Sequence, residues 1–114
     1  MSMRLEETLR RLMARADELR RIIAEEEQRL REKQARANQI YREYLDEIVR
    51  TPDPRMRFII LQRLQRSLAL IRNEIYNEAS MLRWYRQQLS IVEADIARAR
   101  MEIERVRGRV GYPV

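Results

Sequence analysis

The stretch RTPDPRMRF, residues 50–58, contains two of the three prolines in the chain. Proline lacks the backbone N–H that a helix interior needs, and its ring clashes with the preceding turn. The residue before a proline is pushed out of the helical region, so Thr51 should end a first helix. Asp53 can then cap a second helix that begins at Pro54, where the fixed φ of proline suits a helix. We therefore predict a tight reversal between two helices.

On either side of this break the sequence lacks residues that interrupt a helix. No glycine or proline occurs within residues 1–51 or 55–107. Gly108 and Gly111 then supply stop signals for the second helix. The predicted single domain, 1–114, therefore comprises a helix over 3–50, a turn over 51–54, a helix over 54–107 and a short tail over 108–114.

Each half of the chain contains a row of residues that are spaced alternately three and four positions apart. Nearly all of these residues are apolar. The first row is Leu5, Leu9, Leu12, Ala16, Leu19, Ile23, Glu26, Leu30, Lys33, Ala37, Ile40 and Tyr44. The second row is Leu61, Leu64, Leu68, Ile71, Ile75, Glu78, Leu82, Tyr85, Leu89, Val92, Ile96, Ala99, Ile103 and Val106. A sustained seven-residue repeat is typical of coiled coils, and a short connection requires antiparallel neighbours. We predict an all-α fold, an antiparallel coiled-coil helical hairpin that assembles into a multi-helix bundle.

Three charged residues interrupt these rows: Glu26, Lys33 and Glu78. Folding the chain at its prolines places Lys33 opposite Ile71–Ile75. It places Glu78 opposite Leu30 and within one helical turn of both Glu26 and Lys33, so we predict one buried polar layer. Its members either reach the rim of the seam and contribute little, or fix the register of the two helices and reject slipped pairings. A ligand or metal site is the third interpretation.

The second helix carries more apolar residues than one seam needs. On its outer face lie Ala69, Leu70, Tyr76, Ser80, Trp84, Ile91, Ala94, Ala97 and Met101. The outer face of the first helix is polar, and exposed apolar rows of this size mark contact with another chain. We predict an oligomer interface formed by Leu70, Tyr76, Trp84, Ile91 and Met101. The expected partner is a second copy of the chain. The alternatives are another helical protein, or an isolated hairpin that tolerates scattered exposed apolar residues.

The apolar band widens near the turn. The run Phe58-Ile59-Ile60-Leu61 cannot point into one seam, because successive side chains diverge by about 100°. On the first helix this band comprises Ile40, Tyr41, Tyr44, Leu45, Ile48 and Val49. The turn end either joins a thicker core built from several chains, which we favour, or forms a docking knob.

The charge of the chain is +6, and Lys33 is the only lysine among 24 basic residues. Both chain ends should meet at one end of the hairpin, where nine arginines cluster: Arg4, Arg10, Arg11, Arg15, Arg98, Arg100, Arg105, Arg107 and Arg109. Such a cluster can bind nucleic-acid phosphates without sequence preference, meet an acidic protein, or form a solvated surface of paired charges.

The composition argues against catalysis. Because the chain has no histidine or cysteine, it cannot form Ser-His-Asp triads, thiolate nucleophiles or tetrahedral zinc sites. We expect no enzyme activity, no cofactor and no small-molecule substrate. The charged N-terminus and the absence of a run of about 18 apolar residues predict neither a signal peptide nor a membrane span. The expected location is cytoplasmic, or internal to a virion, without a membrane partner.

These observations favour a structural or adaptor coiled-coil protein that self-associates through the outer face of its second helix. The alternative is a basic nucleic-acid-binding or packaging protein that uses the arginine cluster.

Overall fold

The computed structural model describes residues 2–111 of the chain, and residues 3–108 at the level of side chains. It contains two helices, α1 over Ser2–Arg50 and α2 over Pro54–Gly111. No strand occurs within this part of the chain. The prediction of an all-α fold, with two long helices joined as a hairpin, is confirmed.

Thr51 closes the C-terminal end of α1. Its backbone N–H donates a hydrogen bond to the carbonyl oxygen of Ile48 at 3.2 Å. Its hydroxyl donates to the carbonyl oxygen of Glu47 at 2.7 Å. Carbonyls in the last turn of a helix lack partners within the helix, so these two bonds satisfy groups that would otherwise need water.

Asp53 opens α2 as its N-cap. Its Oδ1 atom accepts a hydrogen bond from the backbone N–H of Arg55 at 3.0 Å, and its carbonyl accepts the first helical bond, from Arg57, at 3.0 Å. The guanidinium of Arg57 also donates to the carbonyl oxygen of Thr51. The reversal is therefore held by residues of the turn itself, with Pro54 as the first helical residue.

The end of α2 lies beyond its predicted position. The helix continues through Gly108 to Gly111 and does not end at Arg107. Glycine weakens a helix by about 1 kcal/mol relative to alanine but keeps its N–H and can adopt helical angles. No described glycine has a positive φ. The remainder of the predicted tail, residues 112–114, lies outside the described residues.

The hairpin consists of two compact units. The turn unit comprises residues 25–82, and the terminal unit pairs residues 2–24 with residues 83–111. In the turn unit the buried apolar side chains are those of Ile60, Leu64, Ile71 and Leu82. In the terminal unit they are those of Ala16, Leu19, Ile23, Ile96, Ala99 and Ile103.

The described side chains of the two predicted rows are buried or half-buried with one exception. The exception is Leu61, which is exposed, whereas Ile60 is buried. Leu61 lies seven residues before Leu68 and keeps the repeat, whereas Ile60 lies eight residues before it and departs from the repeat at the turn. The seam of α2 therefore begins with a step of four residues and not, as predicted, with a step of three.

The two helices meet at the polar layer. The Nζ atom of Lys33 lies 3.4 Å from Oε2 of Glu78, and the prediction placed Glu78 opposite Leu30 and within one helical turn of Lys33. α2 contributes no buried residue before Ile60 within the described chain. The first six residues of α2 are therefore exposed at the turn.

Replacing Asp53 by alanine should lower the free energy of unfolding by about 1 kcal/mol, because the N–H of Arg55 loses its acceptor. Urea unfolding followed by circular dichroism measures this loss. Asp53→Asn retains a capping oxygen and is the matched control. Equal stabilities of Asp53→Ala and Asp53→Asn would contradict a capping role.

Candidate functional site

The turn unit contains a buried pair of carboxylates. Glu26 of α1 and Glu78 of α2 are each only 6% exposed. Oε1 of Glu26 accepts a hydrogen bond from Nη1 of Arg29 at 2.8 Å, and Oε2 of Glu78 accepts one from Nζ of half-buried Lys33 at 3.4 Å. The structure thus brings together the three residues of the predicted polar layer.

Arg29 is a fourth member of this layer that was not predicted. It lies one helical turn after Glu26, a spacing at which opposite charges meet on a helix surface. The sequence contains many such arginine–glutamate pairs, and the apolar row that marks Glu26 does not mark Arg29, whose side chain is exposed. Each carboxylate of the layer therefore has one cation, which offsets part of the cost of burial.

The second oxygen of each carboxylate has no such cation. Oε2 of Glu26 and Oε1 of Glu78 are buried and lack a conventional partner among the described residues. A proton on Glu26 would let its carboxyl group donate a hydrogen bond to Glu78. That bond, then burial and the charge of Glu78, raise the pKa of Glu26 above its ordinary value of 4.5 despite Arg29 and Lys33. The same bond from Glu26, followed by the positive charge of Lys33, lowers the pKa of Glu78 against the effect of burial.

Because the two pKa values shift in opposite directions, Glu26 and Glu78 contribute to the stability of the fold over opposite pH ranges. A raised folded-state pKa means that Glu26 stabilises the fold below pH 4.5 and loses this contribution as the pH rises through its folded pKa. Glu78 contributes above pH 4.5 and loses its contribution as the pH falls through its lowered pKa. The pair therefore holds one proton most firmly in mildly acidic solution.

Glu26→Gln should mimic the protonated acid at every pH, because its amide can donate to Glu78 without a titrating proton. The melting temperature of Glu26→Gln minus that of the unmodified chain is the quantity of interest. We expect this difference to be more positive at pH 7 than at pH 4.5. Thermal unfolding between these values measures the difference. Exposed Glu25→Gln is the control, and a difference that does not change with pH would contradict proton sharing.

Replacing Glu26, Lys33 and Glu78 together by leucine tests whether the layer fixes the register. Such replacements often stabilise a protein by about 1–4 kcal/mol, but remove the element that rejects slipped pairings. We expect a higher melting temperature and a broader distribution of distances between spin labels on cysteines introduced into each helix. Unchanged melting and an unchanged distance distribution would refute the register role. Glu25→Leu is the exposed control.

The five residues of the predicted oligomer interface lie on the exposed side of α2. Their exposed fractions range from 50% to 71%, in Leu70, Tyr76, Trp84, Ile91 and Met101. The first two belong to the turn unit and the other three to the terminal unit. The ring of Trp84 meets that of Tyr85 edge to face, with centroids 5.1 Å apart. α1 therefore leaves this apolar face of α2 uncovered.

The terminal unit carries most of the net charge. Its residues 2–24 and 83–111 include thirteen arginines and eight carboxylates, or +5, whereas the turn unit has eleven basic and ten acidic residues, or +1. Ion pairs occupy many of the predicted arginines: Arg11 with Glu7, Arg15 with Glu18, Arg98 with Asp95, Arg105 with Glu102 and, across the two helices, Arg107 with Glu6. Arg4, Arg10 and Arg100 have no such pair within the described residues. The side chain of Arg109 lies outside them.

A shallow groove of about 330 Å³ lies in the terminal unit between α1 and α2. Ala16, Ile96 and Ala97 contribute its apolar lining, and Arg20 and Glu93 form an ion pair of 3.8 Å beside it. No group of three or more metal-binding side chains occurs among the described residues. No helix in the described part of the chain is long and apolar enough to cross a membrane.

Comparison of the chain with protein families, with curated proteins and with solved structures finds no match. The site is therefore interpreted from its own residues.

Proposed function

We propose that the protein is a non-enzymatic coiled-coil structural or adaptor protein that self-associates through the outer face of α2. One observation carries the proposal. The exposed row Leu70, Tyr76, Trp84, Ile91 and Met101 lies on a helix whose opposite side is already covered by α1. A second hairpin on this face would give a four-helix cross-section, which buries more apolar surface per residue than two helices can.

Small neighbours of the large residues support close approach of another helix. Ser90, Ala94 and Ala97 lie on the exposed surface of α2 in the terminal unit, within two helical turns of Ile91. Aromatic residues are the commonest anchors of protein interfaces, and Trp84 is the single tryptophan of the chain. We therefore regard Trp84 as the anchor of the contact.

Trp84→Ala should weaken association by about 2 kcal/mol or more if this side chain becomes buried in the interface. Sedimentation equilibrium at micromolar concentration measures the change. Met13→Ala, which shortens an exposed side chain of α1, is the control. A monomeric unmodified chain would refute the proposed function.

The fluorescence of Trp84 gives a second readout. Because no other tryptophan contributes, its emission should shift to longer wavelength as dilution dissociates the oligomer. The shift should follow the same concentration dependence as sedimentation. An emission spectrum that does not change while the oligomer dissociates would place the contact elsewhere.

The unequal charge of the two units supports a second candidate, sequence-independent nucleic-acid binding by the terminal unit. Arg10 and Arg100 are exposed and have no ion pair among the residues whose side chains are described, so their guanidinium groups can meet phosphates. Each phosphate contact releases condensed counterions and makes binding weaken as salt increases.

Arg10→Ala with Arg100→Ala should weaken duplex DNA binding and reduce the slope of log K against log salt by about 2. Fluorescence anisotropy with a labelled duplex measures both effects. Arg42→Ala with Arg63→Ala removes equal charge from exposed positions of the turn unit and is the matched control. Equal loss in the two double variants would argue for net charge and against a site.

A further inference from the structure

A second row with heptad spacing runs along the outer face of α2 in the terminal unit. We call it the outer row; its steps are alternately three and four residues, and its members are Trp84, Gln87, Ile91, Ala94, Arg98 and Met101. Residues spaced in this way follow one face of a helix. All six side chains are exposed, and all six belong to the terminal unit. The outer row is therefore one continuous surface that α1 leaves uncovered.

The outer row holds a single charge. The guanidinium of Arg98 lies 3.6 Å from the carboxylate of Asp95 in the same chain. At this distance the ion pair lacks a hydrogen bond, so the guanidinium can still donate to another acceptor. The other members are apolar or, in Gln87, an uncharged amide. A molecule that covers the row must therefore offer apolar groups at most positions and one acceptor for Arg98.

A second copy in parallel orientation does not meet these needs. In a parallel pair with matching register each position of the row faces its own copy, so Arg98 faces Arg98. Like charges that face each other across an interface cost free energy. Two facing Ala94 side chains would leave a gap, and two facing Trp84 side chains would crowd the same seam. The row is therefore a poor match for its own parallel copy.

The reversed orientation matches the outer row to itself. About an axis midway between Ile91 and Ala94 the row maps onto its own reverse, and the positions that meet are Trp84 with Met101, Gln87 with Arg98, and Ile91 with Ala94. The side-chain oxygen of Gln87 can then accept a hydrogen bond from the guanidinium. Isoleucine opposite alanine fills the seam, as large residues opposite small ones do, and a methionine sulfur packs well against an indole ring.

The two large residues at the ends of the row select this register. Shifting the axis by one helical turn brings either Trp84 opposite Gly108 or Met101 opposite Asn77. Gly108 offers no side chain for the indole ring, and Asn77 would place an amide against a thioether, which leaves polar groups poorly paired. Of these three registers only the first gives both Trp84 and Met101 a large apolar partner.

We propose that two copies of the chain pair antiparallel through the outer row, about a twofold axis between Ile91 and Ala94, with Gln87 of each copy accepting a hydrogen bond from Arg98 of the partner subunit. The inference rests on the proposed function, because it specifies how a second copy covers the outer face of α2. Leu70 and Tyr76 of the turn unit take no part in this contact. A twofold contact is closed, so its product is a dimer and not a filament.

Two substitutions of Gln87 test the orientation. In the antiparallel dimer Gln87→Arg places a cation opposite Arg98 and should raise the dissociation constant, measured by sedimentation equilibrium, about tenfold. Gln87→Glu places a carboxylate there and should lower the dissociation constant. In a parallel pair each new charge would face its own copy, so both variants would dissociate more readily, and that result overturns the inference. Gln34→Arg and Gln34→Glu, at an exposed position of α1 in the turn unit, control for net charge.

Cysteine cross-linking gives a second readout, because the chain has no cysteine of its own. In the proposed dimer the thiol of a Gln87→Cys chain faces that of an Arg98→Cys chain. Two copies of either variant alone hold their thiols about 16 Å apart along the helix axis. A short bismaleimide should therefore link a mixture of the two variants, one of them carrying a mass tag, far more than either variant by itself. Ala94→Cys lies beside the axis, should link to itself and is the positive control.

The outcomes separate this inference from the proposed function. Strong linkage within Gln87→Cys alone and within Arg98→Cys alone would reveal a parallel pair, which overturns the inference and leaves the proposed function standing. A chain that sediments as a dimer without linkage at any of these positions also overturns the inference. A chain that sediments as a monomer refutes the proposed function itself.

Discussion

When two helices pair, each can bury only one face of the other. The burial of every side chain in this hairpin follows from that limit. The break at Thr51–Asp53 doubles the chain back, and the capping bonds of Thr51 and Asp53 hold that reversal with local groups alone. Once α1 and α2 are paired, the seam buries one row from each helix. Every apolar residue outside those rows then remains in water unless another molecule covers it.

The same limit explains the polar layer. A thin seam has no deep interior, so a carboxylate can lie in the row and still reach a cation at the rim, as Glu26 does with Arg29 and Glu78 does with Lys33. The remaining oxygens of the two carboxylates are buried and have no hydrogen-bond partner among the described residues. A proton on one carboxyl group would give the other a donor. At this layer, sliding one helix along the other would separate paired charges. The apolar rows of the seam tolerate such sliding better, because one apolar contact can replace another.

Apolar surface and net charge are distributed differently along the chain. The turn unit has ten of the large exposed apolar side chains and almost no net charge, whereas the terminal unit has five and carries +5. The proposed self-association and the proposed phosphate binding would use different residues, although Trp84, Ile91 and Met101 lie in the same unit as the arginines.

The sequence alone determined the hairpin, because two prolines, a capping aspartate and long heptad rows are local signals that agree with one another. It also indicated which side chains enter the seam, with Leu61 as the exception. Only the tertiary structure decided the register, the choice of Ile60 over Leu61, and the meeting of Arg29 with Glu26. The register and the choice of Ile60 depend on where α2 first meets α1, which no local pattern fixes. The contact of Arg29 with Glu26 lies within α1, and the sequence does not say which of its many arginine–glutamate spacings forms a contact. The continuation of α2 to Gly111 has a similar cause, since glycine permits a helix end without requiring one.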